Sequence, residues 1–331
     1  MLRRTSEPFR RQAGAWRRWR RDLLLALLAA GIGLLIGRCL GARSPEPVSR
    51  TRPLMGTLVE IRLPGPLDMA GEAALERAFA EMARLERIYN PRQVEEGPAD
   101  TAESLEVAQL VELGRRIGQA SGGALDLRLR DLIDLWGWES EPRRPTEREL
   151  DSLLATRTVR DAGGDLADYA FGALAKGLAV DRALAVLREG GVTRALVNAG
   201  GEVGVLGRGW TVGVQHPRDE GALLASFTLD EGRAVATSGD YENCFFEDGR
   251  RWHHLLDPAT GRPADGCRSV SVLAPTCAEA DAWATALFVA GPSAAMALAA
   301  ARPELEVLVV DADGKALSSS GWPGTVAGRI Q

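Results

Sequence analysis

Thr57 to Leu63 (TLVEIRL) alternates apolar and polar positions with the period of two expected of a half-buried strand. Ala70 to Tyr89 instead places Ala74, Leu75, Ala78, Phe79, Met82 and Leu85 at helical spacing. A second amphipathic helix is predicted over Leu105 to Ala120, ended by Ser121, Gly122 and Gly123, and a third over Leu174 to Arg188, stopped by Gly190 and Gly191. The pattern then changes to short alternating runs at Ala195 to Val197, Val203 to Leu206, Thr211 to Gln215, Leu224 to Leu229, Val235 to Thr237, Trp252 to Leu256 and Ser269 to Leu273. Helices return at Ala278 to Val289 and Ser293 to Ala301, and a hairpin with Asp313 and Gly314 at its turn joins Leu305 to Val310 and Ala316 to Ser319. Helices and strands thus come in blocks, which predicts an α+β fold with antiparallel sheet rather than a doubly wound parallel one. There is no internal repeat and no low-complexity stretch.

Charge divides the chain. Of its 331 residues, those from 1 to 43 hold ten Arg against Glu7 and Asp22, a balance of +8, so the rest carries −13 of the net −5. An acidic body argues against a nucleic-acid partner, which needs a basic footprint. Eight of the arginines precede an uninterrupted apolar run of 15 residues, Leu23 to Gly37. That length suits a signal-peptide core or a minimal anchor, and the positive flank keeps the N-terminal end inside. Arg38 before Cys39 spoils a lipoprotein site and no A-x-A pattern follows, so an uncleaved anchor is favoured over a cleaved signal. The expected organisation is a basic tail and membrane segment over residues 1–43, a linker over 44–52 marked by Pro45 and Pro47, and one domain over 53–331. Everything after Cys39 is therefore expected to be exported. Cys244, Cys267 and Cys277 lack C-x-x-C spacing and read as buried thiols, with one disulfide as the alternative.

The scarce residues draw attention next. Lys176 and Lys315 are the only lysines beside 38 Arg, and Lys176 sits near a helix start in A-L-A-K-G, where an ammonium suits an anionic ligand group; a solvated helix residue is the plain alternative. His253 and His254 are adjacent in W-H-H-L-L-D-P-A-T-G-R-P, and in a strand they point to opposite faces, so one can serve a site as a neutral base while the other packs or faces water. The D-P-x-T-G-x-P that follows reads as a rigid turn. Asp281 and Thr285, four apart on one helix face, offer hard oxygens suited to Mg²⁺; a dipole-favoured Asp and a back-bonding Thr are the alternative. Two glycines in N-A-G-G-E-V, residues 198 to 203, permit close approach by a ligand or another strand. No complete G-x-G-x-x-G, P-loop, G-x-S-x-G or H-E-x-x-H occurs.

In order, these segments resemble the ApbE family, the FAD:protein FMN transferases, over nearly all of residues 51 to 320. The resemblance rests on P-L-M-G-T at 53 to 57, Tyr89 in I-Y-N-P, and G-A-L-D at 123 to 126 running on to L-W-G-W at 135 to 138. It continues with A-K-G-x-A-V-D-R-A at 175 to 183, the near match at Leu196 to Val203, T-S-G-D-Y at 237 to 241, H-H-x-x-D-P-x-T-G-x-P at 253 to 263 and A-D-x-x-x-T-A-L-F at 280 to 288. It implies a two-layer, T-fold-like α+β domain that uses FAD as substrate with Mg²⁺ and transfers FMN to a Thr or Ser hydroxyl of another protein, releasing AMP. By that analogy Met55, Tyr89, Ala124, Leu125, Asp126, Lys176, His254 and Leu255 line the FAD site. Asp281, Thr285 and the carbonyl of Ala173 hold the metal, and His254 is the candidate base. The implied partner is a flavoprotein subunit of a membrane or periplasmic redox complex. The chain departs from the family pattern at Ala170, where an acidic residue is frequent, at Leu127 to Asp131, and after Tyr89. All three departures fall at the flavin end of the implied pocket. An FAD carrier without transfer activity, and an Mg²⁺-dependent FAD pyrophosphatase, are the rival functions.

Overall fold

The computed structural model describes residues 47–89, 101–157 and 168–326. Strands β1 (Val48–Leu54) and β2 (Thr57–Leu63) form a hairpin, followed by helices α1 (Met69–Tyr89), α2 (Thr101–Ala120), α3 (Arg130–Trp136) and α4 (Glu147–Arg157). Helix α5 (Ala175–Glu189) leads into β3 (Ala195–Ala199), β4 (Val203–Leu206), β5 (Trp210–His216), β6 (Asp219–Leu229), β7 (Ala234–Gly239), β8 (Cys244–Glu247), β9 (Arg250–His253) and β10 (Cys267–Ala274). The remaining elements are α6 (Cys277–Ala290), α7 (Pro292–Ala300), β11 (Glu306–Asp311), β12 (Ala316–Ser318) and β13 (Thr325–Val326).

Eight strands make one sheet in the order β1-β2-β3-β4-β7-β10-β11-β12, and every neighbouring pair is antiparallel. The α+β expectation is therefore what is seen. Alternation along the strands separates two faces. Val59, Ile61, Val197, Ala236, Val270, Val272, Val307 and Val309 face the helices and join Phe79, Met82, Leu187 and Phe288 in the main core. Leu196, Val205, Val235, Leu273, Leu308 and Val310 face the other way, against a small sheet of order β13-β6-β5. Both faces are thus covered at mid-sheet, which is why β4 is buried at every position.

Two segments differ from expectation. Residues 48–52, expected within a linker, belong to β1; as the edge strand it exposes Ser49, Arg50, Thr51 and Pro53, so no apolar alternation marks it. The strand expected through Leu256 stops at His253. The N-terminal tail and the apolar run Leu23 to Gly37 lie outside the described residues, as do Asn90 and Pro91. Among the described residues no helix is long and apolar enough to cross a membrane. Cys244, Cys267 and Cys277 are free thiols.

Candidate functional site

Helices α5 and α6 meet at their N-terminal ends beside the turn that joins β3 to β4. Gly177 makes that meeting possible: a Cβ on it would lie 2.3 Å from the carbonyl oxygen of Cys277. In place of that side chain, the Gly177 N–H donates to Asp281 Oδ2 at 3.0 Å. Asp181, one turn further along α5, returns the contact, accepting the N–H groups of Cys277 and Ala278 at 2.9 Å each. Each helix therefore supplies a carboxylate to the exposed N–H groups that start the other. Burial pushes the Asp181 carboxyl up to about 6 against the pull of those two donors.

The β3–β4 turn supplies the third part. Gly200 and Gly201 both have positive φ, 77° and 111°, and a Cβ on Gly200 would sit 2.5 Å from Thr57 Oγ1. The close approach expected of N-A-G-G-E is thus made by a neighbouring strand, and it sets the turn against Met55-Gly56 at the tip of the β1–β2 hairpin. Both hairpin-tip residues also have positive φ, 56° and 70°. The same turn buries Glu202, 1% exposed, and its Oε1 accepts from Lys176 Nζ at 2.5 Å. Its Oε2 is buried with no hydrogen-bond partner among the described residues.

Lys176 occupies the first turn of α5, where the helix dipole disfavours a cation. Burial also works against the ammonium, but the Glu202 and Asp281 carboxylates outweigh both and hold its pKa above the ordinary lysine value. Burial raises the pKa of Glu202 and of Asp281, with Lys176 opposing the shift in each case. Asp281, 3% exposed, lies on α6 one turn before Thr285, whose hydroxyl is 3.3 Å from Ser238 Oγ on β7. Asp281 is thus past the first turn of α6, where a dipole-favoured acid would sit, and Thr285 meets another strand's hydroxyl. Ala173 ends a single 3-10 turn, Phe171–Ala173, packed against α6.

Hard oxygens fit a small divalent cation here. One cation is set against two buried carboxylates, and one carboxylate oxygen, Glu202 Oε2, has no donor among the described residues. A divalent ion on Asp281 and Thr285, completed by the Ala173 carbonyl, would relieve that excess of negative charge.

The two histidines part as expected. His253 is buried, its Nε2 3.0 Å from the carbonyl oxygen of Ala264 and its ring edge-on to Phe288. His254 is half-buried, with Nδ1 3.3 Å from the Asn243 carbonyl oxygen. Burial, with the charges of His253 and Lys176 adding to it, pushes His254 down to about 4. The turn that follows is held by Asp257, which accepts from the backbone of Ala259 and Gly261 and from the Thr260 hydroxyl. Leu255 is buried, and its carbonyl accepts from Ala264 N–H.

The flavin-end residues divide. Tyr89 is buried against Phe171 at 5.0 Å between ring centroids, with no partner for its hydroxyl among the described residues and its pKa raised by burial. Leu125 is buried in the main core, and Ala124 and Asp126 flank it half-buried. The bonds of Asp126, by contrast, run to Arg128 and to Arg157 at the end of α4. Two departures from the family pattern meet here, because Ala170 N–H donates to the Leu127 carbonyl at 2.6 Å. Glu202 and Asp181 were not singled out from the sequence. The signal for Glu202 was the need of a lone lysine for a counter-charge.

The ApbE family model matches residues 55–309. The FAD:protein FMN transferase of Rhodobacter capsulatus is 35% identical over 87% of this chain, which spans 60% of that protein's length. One from Klebsiella pneumoniae is 31% identical over 75% of this chain and 85% of its own. The crystal structure of the ApbE protein of Thermotoga maritima superposes with a TM-score of 0.73 at 27% identity, covering 83% of this chain and 97% of that one. With its cluster of Lys176, Glu202, Asp281 and Thr285 in place and the match running through all four, the chain belongs to the ApbE family.

Proposed function

We propose that the protein transfers the FMN half of FAD to a Thr or Ser hydroxyl of an acceptor protein and releases AMP, with Mg²⁺ held by Asp281, Thr285 and the Ala173 carbonyl. The observation that carries this reading is the buried Asp281 carboxylate, one helical turn from a hydroxyl and beside a half-buried ammonium. Mg²⁺ held by those three groups would supply positive charge to the pyrophosphate of FAD. Lys176, ionised throughout the neutral range, adds a second positive charge at the start of α5, where N–H groups also favour an anion. The acceptor oxygen attacks the FMN phosphorus, the P–O bond to AMP breaks, and the hydroxyl proton passes to His254. Burial holds His254 neutral in the neutral pH range, so its imidazole carries no proton of its own to lose first, although the same burial weakens it as a base. Met55, Tyr89, Ala124 to Asp126 and Leu255 line the flavin end. The arginine-flanked apolar run supports a location at the bacterial inner membrane with this domain in the periplasm and, as acceptors, flavoprotein subunits of redox complexes there.

The test is full-length protein with FAD, Mg²⁺ and a Thr-bearing acceptor domain, with the acceptor's intact mass as readout. A gain of one FMN that disappears with EDTA or with Asp281→Ala supports the proposal, and a parent rate from His254→Ala removes His254 as base. One observation favours the carrier reading instead, namely the ion pairing of Asp126 with Arg157. FAD retained intact with no mass gain would select it, whereas free FMN and AMP would select hydrolysis.

A further inference from the structure

Glu202 is the most buried charged group of the site, and neither the metal nor the proton transfer uses it. One oxygen holds Lys176 Nζ at 2.5 Å and the other meets no donor among the described residues, so the side chain it is bonded to there is that one ammonium. The cost of burying such a carboxylate is large, and as packing it would be replaceable by an apolar side chain. What it does change is the neighbour of Lys176. The residue after Lys176 is bonded to Asp281, and Asp281 is the next anion that the ammonium feels after Glu202. A lysine stem is long and flexible enough to choose between two carboxylates on either side of it. With Glu202 absent, the anions that still act on the ammonium are the buried Asp281 and the more exposed Glu242, and a lysine paired with Asp281 would occupy the carboxylate that a cation needs.

We propose that Glu202 is a positioning residue that draws the Lys176 ammonium away from Asp281, leaving the Asp281 carboxylate open to a divalent cation. This rests on the reading of Asp281 and Thr285 as metal ligands. It differs from a role for Glu202 as a ligand in its own right, since the effect of removing it would run through Lys176.

The experiment is Mg²⁺ binding to the full-length chain in mild detergent, without FAD or acceptor, by calorimetric titration and by the Mg²⁺-dependent rise in melting temperature. Glu202→Gln is expected to weaken Mg²⁺ binding by roughly tenfold, the size of coupling found within one charge network. The double variant Lys176→Met/Glu202→Gln is expected to return to within roughly threefold of the parent, because the competing ammonium is gone. If Glu202→Gln alone does not fold, the double variant, which buries neither charge, carries the test: parent-like Mg²⁺ affinity supports the proposal. Unchanged affinity in Glu202→Gln overturns it, and so does a double variant that stays weak, which would make Glu202 a ligand. Absence of Mg²⁺ binding by the parent chain would sink the metal reading above and this inference with it, while the two variant outcomes sink only the inference.

Discussion

Gly177→Ala attacks the site without touching any of its side chains. The added methyl would lie 2.3 Å from the Cys277 carbonyl oxygen, 2.6 Å from its carbon and 2.8 Å from the Ala278 Cα. The first of these is ~1 Å short of ordinary van der Waals contact. All three atoms are backbone at the start of α6, so no side-chain rotation relieves the clash, and the two helices must separate. Overpacking costs about 1–3 kcal/mol, and a rigid backbone places this site at the upper end. Alanine returns ~1 kcal/mol through helix propensity, leaving a net loss of ~2 kcal/mol. For a domain of this size that corresponds to a fall of roughly 4–8 °C in melting temperature. Separation also lengthens the 3.0 Å bond between Gly177 N–H and Asp281, so Mg²⁺ affinity should fall together with stability. Differential scanning calorimetry with and without Mg²⁺ reads both effects. Gly172→Ala serves as control, since its methyl would meet nothing within 4 Å. A Gly177→Ala protein that melted at or above the parent temperature would refute the close-packing account of A-K-G.

Three further outcomes are expected. Asp181→Ala leaves the Cys277 and Ala278 N–H groups without their acceptor and should cost ~1–2 kcal/mol by chemical denaturation. Because the folded pKa of Asp181 is raised from 3.8 to about 6, its contribution is full below 3.8 and lost as pH rises through about 6, so the parent's advantage over the variant should shrink across that window. In a pH–rate profile, the acid limb that depends on His254 should fall near 4, not near 6.5, and an acid limb centred near 6.5 would contradict the burial assigned to that ring. Trp136→Phe removes the 2.8 Å bond from the indole N–H to the Gly261 carbonyl, which holds the turn after His254, and should cost ~1–3 kcal/mol in the unfolding free energy.

Periodicity located the elements that pack by a broad apolar stripe. Helices α1, α2, α5, α6 and α7 fall within a few residues of their predicted bounds; the first three present an apolar stripe to one core, while α6 is apolar and buried nearly all round. Helix α4 was not predicted: Leu150 is its only buried residue, so periodicity had almost nothing to report. Strand β8 was missed for a related reason, since its hairpin is half-exposed on both strands, although Asp248-Gly249 at the turn was a readable signal. Within the site, Asp281 and Thr285 were readable because one helical turn relates them. The pairing of Lys176 with Glu202 spans 26 residues and exists only because the β3–β4 turn is folded over the start of α5. G-G-E in sequence reads as a turn alone. Asp126 is the opposite case, a residue whose resemblance-based place in the pocket competes with Arg157, 31 positions away.

The bonds that define the site join residues 26, 96 and 104 positions apart. Local hairpins and single helices can all form before any of these links closes, and loop closure over such spans is slow. A nascent chain therefore carries Lys176, Glu202 and Asp281 as separate exposed charges until β10 has joined the sheet and α6 has docked on α5. Ligand-binding competence is acquired late, as one of the final events of folding, and recovery of Mg²⁺ binding during refolding would report completion of the native topology more faithfully than recovery of helix or strand content.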